Sequence, residues 1–217
     1  MNAPLHYELR KPSNLEPEKS YPALFLLHGM GSNEQDLLPL VEKLADQFFI
    51  FSLRGPIAQP PGFAFFTIEG FGKPHRPIFE QAMTGLENFL DYATTTYPID
   101  SKSVYFMGFS QGAISSISLS LRIPQRIRGV IALSGYIPAF MKENSNGLKT
   151  RGPRYFISHG QQDPVLPYQW DEEAREFLVD QGADVSFHSY PDGHFVSMQV
   201  YQDFTAWLLD DTISNDY

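Results

Sequence analysis

Short apolar runs alternate along this chain with longer stretches in which apolar residues recur every three or four positions. The first pattern suits strands buried on both faces, and the second suits amphipathic helices. Ala23-Leu24-Phe25-Leu26-Leu27 reads as a buried strand. Residues 34–47 follow as a helix with Leu37, Leu38, Val41 and Leu44 at helical spacing, and 48–53 as a second strand closed by Gly55-Pro56. Residues 60–77 are rich in Gly, Pro and Phe with no clear period and read as a long loop. A helix over 78–97 puts Phe79, Met83, Leu86, Phe89, Leu90 and Ala93 on one face and stops at Pro98. The spacing then predicts strands over 103–107, 129–133, 154–158 and 185–190. Helices are predicted over 111–121, 168–181 and 196–209, with an excursion over 138–153 that carries one helical turn. This alternation implies an α/β fold with a mostly parallel central sheet covered by helices on both faces. No linker-like segment divides residues 1–217, which read as a single domain.

Composition narrows the function. At 217 residues and 42% hydrophobic content the chain is long enough for one sizeable core. Acidic residues outnumber basic ones 25 to 16, for a net charge of −9, and no run of Lys and Arg occurs. A field of that sign repels phosphate backbones and anionic membranes, so no nucleic-acid partner is expected. The absence of cysteine removes disulfides, thiolate metal sites and a cysteine nucleophile together. The N-terminal residues show no apolar stretch of a signal peptide, and the longest clean apolar run, Ala23 to Leu27, is far shorter than the ~20 residues that span a bilayer. A cytoplasmic protein without stable membrane insertion is the expectation.

One motif carries chemistry. Gly108-Phe109-Ser110-Gln111-Gly112 lies between a predicted strand and a predicted helix, the setting of a nucleophile elbow. The glycines answer a steric demand, because strand and helix crowd the serine backbone. The alternative, a Gly-Ser turn that merely caps a helix, leaves the strand context unexplained. A serine hydroxyl needs a base to take its proton. Two residues fit the order Ser, Asp, His: Asp163, just after the strand over 154–158, and His194, just after the strand over 185–190. His194 would take the Ser110 proton, and Asp163 would orient the imidazole and stabilise its charged form. Among rivals, His188 sits mid-strand and reads as a face residue. His28 and His159 lie near strand ends and read as structural hydrogen-bonding residues, with a supporting role at the site as the alternative. His6 and His75 have no supporting context, Asp192 reads as a local turn residue, and neither Asp171 nor Asp184 has a position that favours it.

His28-Gly29-Met30-Gly31 follows the first strand and can present a backbone N–H to a developing oxyanion. Met30 N–H and Gln111 N–H are the expected pair of donors. A dinucleotide fingerprint fails here, because Glu34 stands where the third glycine belongs. There is no Walker A lysine and no H-E-x-x-H, and the spacing of His and Asp gives no support to a metal site.

Taken together, His28-Gly29-Met30-Gly31-Ser32, Gly108-Phe109-Ser110-Gln111-Gly112, Asp163-Pro164-Val165-Leu166-Pro167 and Gly193-His194 resemble the phospholipase/carboxylesterase family of α/β-hydrolases, which includes acyl-protein thioesterases and small bacterial carboxylesterases. The resemblance covers nearly the whole chain in order. It implies an α/β-hydrolase fold without a large cap domain, a Ser110, Asp163, His194 triad, Met30 and Gln111 as oxyanion donors, and no cofactor. The stretch Gly29 to Leu37 looks like the bacterial branch. The thioesterase branch usually has a Trp-Phe-Asp-like segment where this chain reads Gly62-Phe63-Ala64-Phe65-Phe66-Thr67. That departure points to a short-chain ester hydrolase over a protein-directed enzyme.

Phe63, Phe65, Phe66, Ile68, Phe71 and Leu166 are candidates to line an apolar substrate pocket beside Ser110, and packing of the phenylalanines onto the core is the competing reading. The expected activity is serine-dependent hydrolysis of small to medium acyl esters. A lysophospholipase or thioesterase acting on longer chains, and a non-catalytic binder on a hydrolase scaffold, are the alternatives. The expected partner is a small-molecule or lipid-like ester, with a homodimer left open.

Overall fold

The computed structural model describes residues 2–143 and 152–213. In chain order its strands are β1 (Tyr7–Arg10), β2 (Tyr21–Leu27), β3 (Phe49–Leu53), β4 (Ile57–Gln59), β5 (Gly62–Ala64), β6 (Ile68–Gly70), β7 (Lys73–Pro74), β8 (Ile99–Phe109), β9 (Gly129–Leu133), β10 (Arg154–Gly160) and β11 (Asp184–Tyr190). Its helices are α1 (Leu38–Val41), α2 (Arg76–Thr96), α3 (Gln111–Arg122), α4 (Ala139–Lys142), α5 (Tyr168–Asp180) and α6 (Met198–Ile213). Seven strands form the central sheet in the order β1-β3-β2-β8-β9-β10-β11. All neighbours run parallel except β1, which is antiparallel to β3. The expected architecture, a mostly parallel sheet between layers of helices, is present.

The sheet separates two apolar layers, because its central strands alternate large side chains to both faces. On one face Phe25, Phe51 and Phe106 pack with Met83, Leu86 and Phe89 of α2, Ile117 of α3 and Leu178 of α5. On the other, Leu24, Ile50, Met107 and Phe156 pack with Val41 of α1 and with Phe204 and Leu208 of α6. Phe25 lies in register with Phe51 and Phe106, and their rings stack at 5.0 and 4.8 Å. This ladder fixes the pairing of three adjacent strands, since a one-residue slip would turn each ring to the opposite face.

Several boundaries differ from the pattern-based expectation. The helix over 34–47 shrinks to α1 and a single 3₁₀ turn, Glu42–Leu44. Polar side chains before it satisfy the backbone locally: Asn33 Oδ1 accepts the Gln35 N–H at 2.9 Å, and the Ser32 hydroxyl donates to Asp36 at 2.7 Å. Leu37, Leu38, Val41 and Leu44 are nevertheless buried. The loop over 60–77 contains strand β5 and the β6–β7 hairpin, and helix α2 already begins at Arg76. Strand β8 starts four residues before its apolar run, because Ile99 pairs with Tyr21. Strand β1 has no strong pattern of its own, and its register comes from Phe51 and its neighbours on β3. The excursion over 138–153 begins with α4, and 144–151 lie outside the described residues.

At the end of the sheet away from the strand C-termini, Asp211 of α6 is fully buried. It accepts hydrogen bonds from Arg128 at 2.9 and 3.0 Å, Arg154 at 2.6 Å and the Tyr105 hydroxyl at 2.8 Å. Burial favours its neutral form, but the two guanidiniums and the phenol outweigh that and hold the carboxyl below its ordinary range. Asp211→Ala strands two partly buried cations, and urea denaturation at neutral pH is expected to show a loss of about 3 kcal/mol. Since folding lowers this pKa, the stabilisation is complete above the unfolded aspartate range, about pH 4–5, and disappears as pH falls through the folded value. The gap between variant and parent should therefore narrow in acid.

Candidate active site

Four loops leave the C-terminal ends of parallel strands and meet along one rim: 28–33 after β2, the turn at Ser110 after β8, 161–167 after β10 and 191–197 after β11. Ligands of open α/β sheets bind in this crevice. Ser110 has φ +53° and ψ −114°, a conformation that costs a non-glycine residue about 1–3 kcal/mol. Its N–H donates to the Leu133 carbonyl at 2.8 Å, which ties the turn to β9. Crowding on both sides holds the strain. A Cβ on Gly108 would fall 2.1 Å from Gly112 backbone atoms, and one on Gly112 would fall 1.8 Å from the Leu27 carbonyl oxygen. The steric role expected of these glycines is what the packing imposes.

Asp163 and His194 are joined directly, with His194 Nδ1 2.6 Å from Asp163 Oδ2. The other oxygen, Oδ1, accepts the Val165 and Leu166 N–H groups at 2.7 and 2.9 Å. The carboxylate is inaccessible, while the imidazole keeps some exposure. Burial alone would raise the Asp163 pKa, but the Leu166 N–H, the His194 ring and the Val165 N–H overcome it and keep the carboxyl below its ordinary range. The two loops can meet because residue 160 is glycine: a Cβ there would lie 2.4 Å from the carbonyl oxygens of Asp192 and Gly193. Gln162 N–H to Asp192 O, at 2.9 Å, completes the seam.

His194 reaches the serine turn through Phe109, whose ring lies 4.8 Å from the imidazole. The same Phe109 ring borders Gly29, and a Cβ built on Gly29 would be 3.6 Å from the Ser110 Cβ. Ser110, His194, Asp163 and the Met30 turn therefore share one neighbourhood. With Nδ1 engaged by Asp163, Nε2 is the imidazole nitrogen left for another partner.

His28 organises the Met30 turn. Its Nδ1–H donates to the Gly29 carbonyl at 2.7 Å, and its Nε2 accepts the Gly55 N–H at 3.0 Å. A carbonyl accepts and an amide donates, so this ring is neutral with hydrogen on Nδ1. Burial lowers its pKa accordingly. The Gly29 carbonyl also accepts the Ser32 N–H at 3.2 Å. Fixing that carbonyl aims the Met30 N–H, at the other end of the same trans peptide, in the opposite direction. Gln111 is the first residue of α3, so its N–H has no acceptor within the helix. Its buried side chain bridges the aromatic loop, accepting from the Phe65 N–H at 2.6 Å and donating to the Phe66 carbonyl at 2.8 Å.

The six pocket candidates divide. Phe65 and Phe66 are 1% exposed and belong to the core: Phe65 packs on His28 at 4.9 Å and Phe66 on Phe79 at 4.9 Å. Their rings are spent on packing, which corrects the expectation that they line an opening. Phe63 lies beneath the Arg54 guanidinium at 4.5 Å, and Leu166 is buried. Ile68 and Phe71 are exposed on the β6–β7 hairpin, where Phe71 contacts Trp170 at 5.1 Å.

His188 stacks on Phe156 at 4.6 Å in the edge strand β11, as a face residue would, and Asp184 pairs with Arg154 at 2.8 Å. Asp171 is the residue that sequence reasoning passed over. It lies fully buried in the first turn of α5, with Oδ2 2.7 Å from His159 Nδ1. No periodicity could flag it, since its partner comes from another element. The described residues also gather His6, Glu8 and Glu34 with ligand atoms within 4.8 Å of one another. Arg54 already pairs with Glu34 through Nε and Nη2, so a cation there would face a guanidinium.

Residues 15–209 match the family model described as Phospholipase/Carboxylesterase. Acyl-protein thioesterase 1 of Kluyveromyces lactis is 25% identical over 224 aligned positions, covering 92% of this chain and 95% of that one. Acyl-protein thioesterase 1 of Saccharomyces cerevisiae is 37% identical, but over 84 residues that span 38% of this chain and only 37% of the relative. The crystal structure of the Bacillus cereus carboxylesterase superposes with a TM-score of 0.83 and 26% identity, covering 97% of this chain and 96% of that one. With the family model spanning nearly all of the sheet and the rim that carries Ser110, Asp163 and His194, the chain belongs to the phospholipase/carboxylesterase family of α/β-hydrolases.

Proposed function

We propose that the protein hydrolyses carboxylic esters through an acyl-enzyme on Ser110. The observation that carries this reading is the 2.6 Å contact between Asp163 and His194 Nδ1, beside a strained serine at the head of α3. The carboxylate fixes the tautomer that leaves Nε2 free to accept a proton. His194 takes the Ser110 proton as Oγ attacks the ester carbonyl carbon. The carbonyl π electrons move onto oxygen, and the Met30 and Gln111 N–H groups receive that oxyanion. The intermediate collapses, the C–O bond to the alcohol breaks, and His194 returns the proton to the leaving oxygen. Water then repeats the sequence on the acyl-enzyme and releases the carboxylic acid with Ser110 restored. Every step uses side chains and N–H groups of this chain.

Small to medium acyl esters are the proposed substrates. A longer-chain reading, toward lysolipids or thioesters, has one observation in its favour: Met30, Val165 and Phe195, all exposed apolar residues, each lie within two residues of a proposed site residue or its loop contact. Profiling turnover against acyl length separates the two. A maximum on short and medium chains is expected, and a maximum on long-chain lysolipids would transfer the assignment to the second reading.

Ser110→Ala should lower kcat/KM on p-nitrophenyl esters by at least about 10⁴-fold with the fold intact. Residual turnover within tenfold of the parent would reject the nucleophile. A fluorophosphonate should label Ser110, which a non-catalytic binder would leave unmodified. Since a base histidine acts in its neutral form, kcat/KM is expected to fall as the solution is acidified. A profile flat from about pH 5 to 8 would contradict general-base catalysis by an imidazole.

A further inference from the structure

Against the Asp163 oxygen that His194 contacts lies a second, buried imidazole that the hydrolytic cycle does not use. His159 is the last residue but one of β10 and is fully enclosed. Both of its ring nitrogens face oxygens. Nδ1 is 2.7 Å from Asp171 Oδ2, and Nε2 is 3.0 Å from the Leu166 carbonyl and 3.2 Å from Asp163 Oδ2. A carbonyl oxygen can only accept, so Nε2 must carry a hydrogen. That hydrogen goes to the Leu166 carbonyl, and the same nitrogen lies 3.2 Å from the carboxylate oxygen that His194 also contacts. The proton between Nδ1 and Asp171 can reside on either partner without disturbing Nε2–H. Asp171 is itself held by the Gly135 N–H at 3.0 Å, while its Oδ1 is buried without a partner. His159 is thereby locked from both ends.

We propose that His159, fixed by Asp171, is a positioning residue for ester hydrolysis: its Nε2 edge braces the same Asp163 oxygen that His194 contacts, so that one carboxylate is divided between two imidazoles. The proposal rests on the reading of Ser110, Asp163 and His194 given above. Asp163 then has four close partners: the Val165 and Leu166 N–H groups donate to Oδ1, His194 is bonded at Oδ2, and His159 Nε2 stands 3.2 Å from that same oxygen. Such a carboxylate cannot rotate, and it offers His194 less than its whole negative charge. A carboxylate with less free charge gives less support to a protonated ring beside it, so His159 bears on the acid limb of the rate profile. The groups facing His159 are Asp171 and the Tyr168 ring from α5, Asp163 and the Leu166 carbonyl from the loop after β10, and Tyr190 and Asp192 across a small cavity beside β11. Burial opposes charge on His159, but the Asp171 carboxylate outweighs it and raises the pKa, while burial pushes the Asp171 carboxyl up in turn, so the proton stays within the pair.

The test compares His159→Leu, which removes the donor, with His159→Gln, whose side-chain N–H reaches toward the position of Nε2. On a short p-nitrophenyl ester, His159→Leu is expected to lower kcat about tenfold or more with KM little changed. It should also move the acid limb of kcat/KM upward by at least about half a pH unit. His159→Gln should return the limb toward that of the parent. A folded His159→Leu protein with the parental limb, or equal shifts in both variants, would overturn the proposal. Should His159→Leu fail to fold, histidine-selective ¹⁵N NMR on the unaltered protein decides the matter. Nε2 of His159 must carry hydrogen at every pH from about 6 to 9, and a bare Nε2 anywhere in that range refutes the claim. Fluorophosphonate labelling of Ser110 in the same preparations keeps the two readings apart: without labelling of the parent, the esterase reading fails on its own account. Labelling of the parent with unaltered limbs in the variants defeats only the role of His159.

Discussion

Helix α3 can begin where it does only because residue 112 has no side chain. Its backbone lies against the Leu27 carbonyl, with room for a hydrogen and nothing larger, since a Cβ would stand 1.8 Å from that oxygen. This close approach brings the end of β8 beside the end of β2, and with it Ser110 beside Gly29. Moving the helix outward by the width of a methyl group would separate the serine from the turn that presents the Met30 N–H. It would also loosen the Gln111 side chain from Phe65 and Phe66. Backbone contact of this kind cannot be replaced by repacking, because no rotamer change relieves it.

The layers on either side of the sheet make that contact rigid. Stacked phenylalanines on β3, β2 and β8 set the register of the strands whose ends carry the site. Buried hydrogen bonds then do the local placement. His28 sets the Gly29 peptide, and the loops after β10 and β11 are stitched through Gln162 and Asp192. Strain at Ser110 is tolerated because each neighbour is held by an interaction independent of the serine itself.

Two imidazoles share Asp163 but differ in what surrounds them. His194 keeps some exposure, and its Nδ1 is the nitrogen that Asp163 holds. His159 is enclosed with both nitrogens committed, so it can only hold. The chemical difference comes from position alone. Along the chain only their order relative to Asp163 separates them, since His159 precedes it and His194 follows.

The amino-acid sequence by itself determined the alternation of strands and helices and the strand–turn–helix setting of Ser110, and it singled out Asp163 and His194, which the fold brings into contact. These depend on local properties: periodicity of apolar residues, glycines two positions either side of a serine, and short loops after strands. It also pointed to His28 and His159 as hydrogen-bonding residues, since each stands at a strand end. Tertiary structure decided the rest. Asp171 gained a partner only when α5 packed against β10, and Phe65 and Phe66 went into the core only when the loop closed over His28 and Phe79. The helix expected over 34–47 gave way to turns because Ser32 and Asn33 found nearby partners that compete with helical hydrogen bonds. In each case the deciding energy is a contact between residues distant in the chain, or a competition between local bonds, and neither leaves a period to be read.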